Sequence, residues 1–155
     1  MSVSLYGSGQ TVLQVVTATS TTVATTSSNS YTSTGFSATI TPLSSNSKIL
    51  VLSQISAQTG STTGSGIGFA IYRNGSSVWL PAVADTSGPY GAGYAVASNN
   101  IRTMSLLTYL DSPATTSATT YAIYFAARST TATFNPSDNV NNGSSSIILL
   151  EISGS

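Results

Sequence analysis

Hydroxyls, not charges, supply most of the polarity of this sequence, and that substitution narrows what the chain can become. Ser and Thr fill roughly a third of its 155 residues, whereas Lys, Arg, Asp and Glu together make up 5%, and His and Cys are absent. An ordinary domain carries about a quarter charged residues. Tracts such as Thr19, Ser20, Thr21, Thr22 and Thr25, Thr26, Ser27, Ser28 are short, neutral and compatible with a pleated strand. With 40% hydrophobic residues and a mean hydropathy of +0.20, the chain has material for one real core. A surface so poor in charge suits a protein packed against copies of itself or against a larger assembly.

The order of apolar residues points to strands throughout. No window sustains a helical i, i+3, i+4, i+7 pattern, while period-2 segments recur between turn residues. They cover Val12 to Thr19, Gly35 to Thr41, Lys48 to Ala57, Gly66 to Arg73, Ser76 to Leu80, Ile101 to Leu110, Thr120 to Arg128, Thr131 to Phe134 and Ser146 to Ile152. Lys48 to Ala57 opens apolar on both faces, as expected of a central strand between two packed layers. Asn74-Gly75 marks a two-residue hairpin turn, because both central positions of a type I′ turn need positive φ. Asn135-Pro136 stops a strand, Pro81 to Asn100 reads as a long Gly-, Ala- and Tyr-rich loop, and Asp138 to Gly143 reads as an Asn-rich turn rather than a Ca²⁺ loop. About eight antiparallel strands with little else predict an all-β fold, a single sandwich of jelly-roll type over residues 9–155 behind an N-terminal segment of residues 1–8.

Composition also removes function classes. Lys48, Arg73, Arg102 and Arg128 are scattered, so no basic stripe is offered to nucleic acid. The longest apolar runs, Ile49 to Leu52 and Ile147 to Leu150, are far too short to cross a bilayer as helices, and Met1 to Gln10 lacks a basic n-region. Asp85, Asp111, Asp138 and Glu151 fall on four different elements, and without His no Ser has a base, so no enzyme, cofactor or metal site is expected. Asp111 reads as a turn former before Ser112-Pro113, Glu151 as a strand-end or interface ion partner, and Trp79 as a core or interface residue. The aromatic loop residues Tyr90 and Tyr94 are the candidate contacts for a partner protein or a glycan.

Five segments in series carry a resemblance: GQTVLQVV at Gly9 to Val16, ITPLSSNSKILV at Ile40 to Val51, FAIYRNGS at Phe69 to Ser76, YLDSPATTSATTYAIYF at Tyr109 to Phe125, and SSIILLEI at Ser145 to Ile152. The series resembles a β-sandwich domain of tailed-bacteriophage virion proteins, especially of phages infecting cyanobacteria and aquatic bacteria. The resemblance implies a structural or attachment protein, trimeric, located on the virion surface, with no active site. The expected role is a capsid decoration or cement protein that binds the major capsid protein and stabilises the head. The alternative is a tail-fibre or receptor-binding tip module that recognises a host surface glycan.

Overall fold

The computed structural model describes residues 9–81, 93–94, 99–138 and 142–154, with 93–94 described by their backbone alone. Among these residues there is no helix. The strands are β1 (Val12–Ser20), β2 (Ala24–Thr26), β3 (Thr32–Ile40), β4 (Lys48–Gln58), β5 (Gly66–Arg73), β6 (Ser76–Trp79), β7 (Gly93–Tyr94), β8 (Arg102–Asp111), β9 (Thr119–Arg128), β10 (Ala132–Phe134) and β11 (Ser145–Ile152). Every pairing is antiparallel, and the strands form two sheets that pack face to face as a β-sandwich.

Register reduces the strands to eight rows. β11 pairs with residues 48–54 of β4 and β10 with residues 57–58, while β8 runs along the opposite edge over residues 49–58. β10 and β11 are thus two pieces of one row, and β1 and β2, which lie outside them, are two pieces of the next. In the second sheet β6 and β7 share the outer edge of β5, and β9 lies between β5 and β3. Numbered along the chain, the rows run 1-8-3-6 in the first sheet and 2-7-4-5 in the second.

The break between β10 and β11 has a specific filling. Asn135 is buried, and its backbone sits at φ 48. Its Nδ2 donates to the Ser20 and Thr22 carbonyls at 2.9 and 3.2 Å, bridging the gap between β1 and β2, and its Oδ1 accepts from Ser145 Oγ at 2.6 Å. One amide side chain thereby satisfies backbone groups that neither ladder reaches, as buried polar groups require.

Alternation places the core. Ile49, Val51, Ile55 and Ala57 of β4 face Ile67, Phe69 and Ile71 of β5 and Tyr121, Ile123 and Phe125 of β9 across the interior, all at most 2% exposed. Phe134 closes one end against Phe36 and Phe125, with ring centroids 5.9 and 6.5 Å apart. Each large side chain so buried contributes about 1.5–3 kcal/mol.

The expected strands are present, with three differences. β3 begins at Thr32 instead of Gly35, because Gly35 sits at φ 77 inside a bulge between Ser33 and Ser37. Thr34 Oγ1 bridges that bulge, donating to the Ile123 carbonyl at 2.8 Å and accepting from Phe36 N at 3.1 Å. β2 lies in a Thr-rich stretch with no alternation to announce it. β7 falls within the stretch read as a loop, most of which lies outside the described residues, as do residues 1–8.

Two acids also behave differently from expectation. Asp111 ends β8 facing inward, 5% exposed, where Arg73 Nη1 of the opposite sheet reaches both of its oxygens at 3.0 and 2.8 Å. Tyr121 Oη donates to Oδ2 at 2.6 Å. The residue is a cross-sheet anchor, not merely a turn former. Burial, and then this hydrogen bond, push the Tyr121 hydroxyl far above its usual value of 10.0. Glu151 stands near the end of β11 as expected, but it is wholly buried and held by neutral donors, Gln14 Nε2 at 2.6 Å and Leu43 N at 2.8 Å, instead of a cation. Burial pushes its carboxyl up, yet hydrogen bonding from Gln14 and the Leu43 amide helps outweigh that and hold it below 4.5.

Three outcomes follow for stability. Asn74 and Gly75 sit at φ 49 and 84, with nothing within 4 Å of a Cβ added at Gly75. Gly75→Val therefore costs backbone strain alone, about 1–2 kcal/mol, visible as a lowered Tm. Arg73→Met strands the Asp111 carboxylate; the loss is about 2 kcal/mol, below that of a fully buried pair because the Arg73 side chain is 32% exposed. Arg73→Met with Asp111→Leu recovers part of it. For pH, the depressed Glu151 contributes stability that is present above its unfolded pKa and lost as pH falls through the folded value. The raised Tyr121 contributes stability that is full below its unfolded pKa and lost at higher pH. Thermal melts should show a plateau between about pH 5 and 9 with both flanks falling, and Glu151→Gln should lower the plateau and flatten the acid flank.

Candidate functional site

The outer faces of the two sheets differ, and the contrast singles out one of them. On the second sheet the outward positions of β3 are Ser33, Gly35, Ser37 and Thr39, and Thr39 shares a 2.7 Å hydroxyl contact with Thr120 of β9. Tyr72 and Tyr124 stack there at 3.7 Å between centroids and 12° between planes. Tyr31 belongs to the same cluster, and burial, then the neighbouring Tyr72, push its hydroxyl up to about 12. This face is built of hydroxyls and small residues, with its aromatic rings turned on one another.

The first sheet presents the opposite. One row runs Val15, Leu150, Leu50, Leu110 across β1, β11, β4 and β8, and the next runs Thr17, Ile148, Leu52, Thr108. Leu50, Leu52, Ile148 and Leu150 are half-buried in the middle. At the β8 margin Met104, Leu106 and Leu110 are 66%, 72% and 49% exposed, and at the β1 margin Leu13 and Val15 are 40% and 55% exposed. Period 2 explains the middle of the pattern: the runs Ile49-Leu50-Val51-Leu52 of β4 and Ile147-Ile148-Leu149-Leu150 of β11 alternate apolar with apolar, so both of their faces are hydrophobic and only one can enter the core.

Among the described residues, charges stand only at the ends of this face. Lys48 begins β4, and Arg102 begins β8 with Nε on Gln58 Oε1 at 3.0 Å and Nη2 on Asp138 at 2.8 Å. Along the unshared edge of β8 no strand pairs among the described residues. Where the margins of β8 and β6 part, a cleft of about 300 Å³ opens, lined by Phe69, Trp79, Pro81, Met104, Leu106 and Leu107. Trp79 is half-buried, packed against the core beside it.

What such a surface can do is bind by excluding water. Burying apolar area yields about 25 cal/mol per Å², and uncharged neighbours add little desolvation cost. Asp111 and Glu151 are sealed by their own hydrogen-bond partners, so neither opens to a substrate. Among the described residues no three His, Cys, Asp or Glu side chains gather in one place. Of the residues expected to make contacts, Tyr90 lies outside the described residues. Tyr94 is placed by its backbone alone, opposite Gly66 at the edge of the second sheet. Sequence reasoning passed over the outer face of the first sheet. Its signal was the apolar run at Ile49 to Leu52, read as a strand covered on both sides; the chain's second sheet covers only one side.

No family model and no curated protein matches this chain.

Proposed function

We propose that this chain is a non-enzymatic structural protein of a tailed-bacteriophage virion, a homotrimeric decoration or cement protein bound to the major capsid protein at the particle surface. The observation that carries this reading is the outer face of the first sheet, where exposed Leu13, Val15, Met104, Leu106 and Leu110 suit contact with another protein surface more than with water. The row order 1-8-3-6 over 2-7-4-5 supports a jelly-roll winding, in which the strands of a folded-over ribbon alternate between two sheets. The two buried acids, both closed off by their partners, support the absence of catalysis.

Such a protein acts by area. Each copy adds apolar contact between neighbouring capsid subunits, and many copies together raise the barrier to shell opening. Quantitative mass spectrometry of purified particles should find the chain in numbers comparable to the major capsid protein, and particles stripped of it should release their genome at lower temperature. Deleting residues 1–8 should weaken attachment to heads while leaving the sandwich folded. A few copies per particle, with Tyr90→Ala and Tyr94→Ala slowing adsorption to cells while heat resistance is unchanged, would replace this reading with the tail-fibre tip that recognises a host glycan.

A further inference from the structure

On the outer face of the second sheet two phenols stand where their rings can react with each other. Tyr72 of β5 lies opposite Ala122 and Tyr124 of β9 opposite Ala70, so the two side chains are diagonal neighbours across adjacent strands. Their ring centroids are 3.7 Å apart and their planes 12° apart, closer than the ~4.5–7 Å of ordinary aromatic pairs. We infer that this pair is a site of oxidative modification, at which a peroxide-driven one-electron oxidant of the peroxidase class joins Tyr72 to Tyr124 through a carbon–carbon bond between the rings. The inference goes beyond the virion reading and does not depend on it.

The chemistry balances on the two phenols and one peroxide. Each phenol gives one electron to the oxidant and its hydroxyl proton to water, leaving two phenoxyl radicals whose spin lies partly on the ring carbons ortho to oxygen. A bond forms between one Cε of each ring; the hydrogen on each of those carbons leaves as a proton, and each oxygen takes one back. Hydrogen peroxide accepts the two electrons and two protons and becomes two waters, so the chain ends lighter by two hydrogens. The stack supplies the step that is otherwise improbable, since it holds the second ring beside the first before either radical decays. Both rings are half-buried, within reach of solvent for the loss of a proton. Tyr121, by contrast, is sealed in the core with its hydroxyl on Asp111. Tyr31, the third phenol of the cluster, has a buried hydroxyl with no hydrogen-bond partner among the described residues, so its proton has no acceptor to leave to and the ring serves as a wall. No cysteine is present to intercept the oxidant. The product ties β5 to β9 and restricts the unfolded chain, as a disulfide would.

Treating the full chain with a peroxidase and limiting hydrogen peroxide tests this. The product should show the blue emission of dityrosine while still running at the 15.7 kDa chain mass on a denaturing gel. Trypsin, cutting after Lys48, Arg73, Arg102 and Arg128, should release residues 49–73 joined to residues 103–128. That product should weigh two hydrogens less than the separate peptides, with fragmentation placing the link at Tyr72 and Tyr124; a sulfoxide at exposed Met104 adds oxygen and is told apart by mass. Tyr72→Phe and Tyr124→Phe each keep a ring without a phenol, and each should lose the emission and the joined peptide with unchanged far-UV circular dichroism. Tyr31→Phe and Tyr109→Phe should keep both. The joined chain should melt at a higher temperature than the untreated one. No dityrosine, a link to another tyrosine, emission that survives Tyr124→Phe, dimers that form before the internal link, or a joined chain that melts no higher overturns the inference.

Discussion

A β-sandwich is open where its inward rows end, and the polar groups that stand there must be satisfied without water or the core leaks. In this chain Gln14, Glu151, Ile49 and Asp111 stand abreast across the first sheet in the last inward row. Arg73 and Tyr121, cross-strand neighbours in the second sheet, reach over to Asp111, and the Leu43 amide and Gln14 close on Glu151. Arg73, Asp111 and Glu151 are three of only eight charged residues, spent on one end of the core. An isolated buried charge costs several kcal/mol, so each of these has to be matched, and the matching fixes how the sheets sit on one another. The apolar layer between the sheets is non-directional. The Arg73–Asp111–Tyr121 bridge is not, and it pins the β5 and β9 rows of the second sheet to the β8 row of the first.

Having placed charge at that end, the chain has little left for its surface. The second sheet meets water with Ser and Thr, which hydrogen-bond to solvent at modest desolvation cost. The first meets it with Leu, Val and Met beside Thr17, Gln54 and Thr108. The described residues cover one face of the first sheet with the second sheet and leave the other open. The asymmetry between the two outer faces is thus a consequence of sequence pattern: Ile49-Leu50-Val51-Leu52 and Ile147-Ile148-Leu149-Leu150 lack the polar alternation that Ser33 to Thr39 possesses.

Much of the architecture was legible in advance because period 2 is a local signal. β3, β5 and β9 carry their own alternation, β4 and β11 carry apolar runs bounded by polar residues, and Asn74-Gly75 and Asn135-Pro136 carry their own stops. What escaped was non-local. β2 exists because Ala24 to Thr26 finds β10 beside it, not because the tripeptide prefers extension. The Gly35 bulge hid the first turn of β3, since a glycine in a strand reads as a boundary until Thr34 is seen bridging it. Asp111 and Glu151 looked like isolated acids because their partners lie 38 and 137 residues away, at Arg73 and Gln14. The candidate face was present in the sequence as doubly apolar strands, but a sequence cannot say whether the second covering layer comes from the same chain.

Association through such a face has a kinetic character of its own. With charge only at its ends there is little long-range steering, so encounters would proceed near the unassisted rate and depend on concentration and orientation. A contact through the face would depend little on ionic strength, since Lys48 and the Arg102–Asp138 pair stand only at its ends. Specificity has to come from shape and from the register of alternating rows, where a slip of one residue would turn Leu50 and Leu52 out of the face and Val51 into it. The interior arrangement forbids that slip, because the same shift would carry Glu151 and Asp111 out of their pockets. The polar end row therefore does more than close the core: by locking register in the first sheet, it holds the outer face in the one alternation that keeps it apolar.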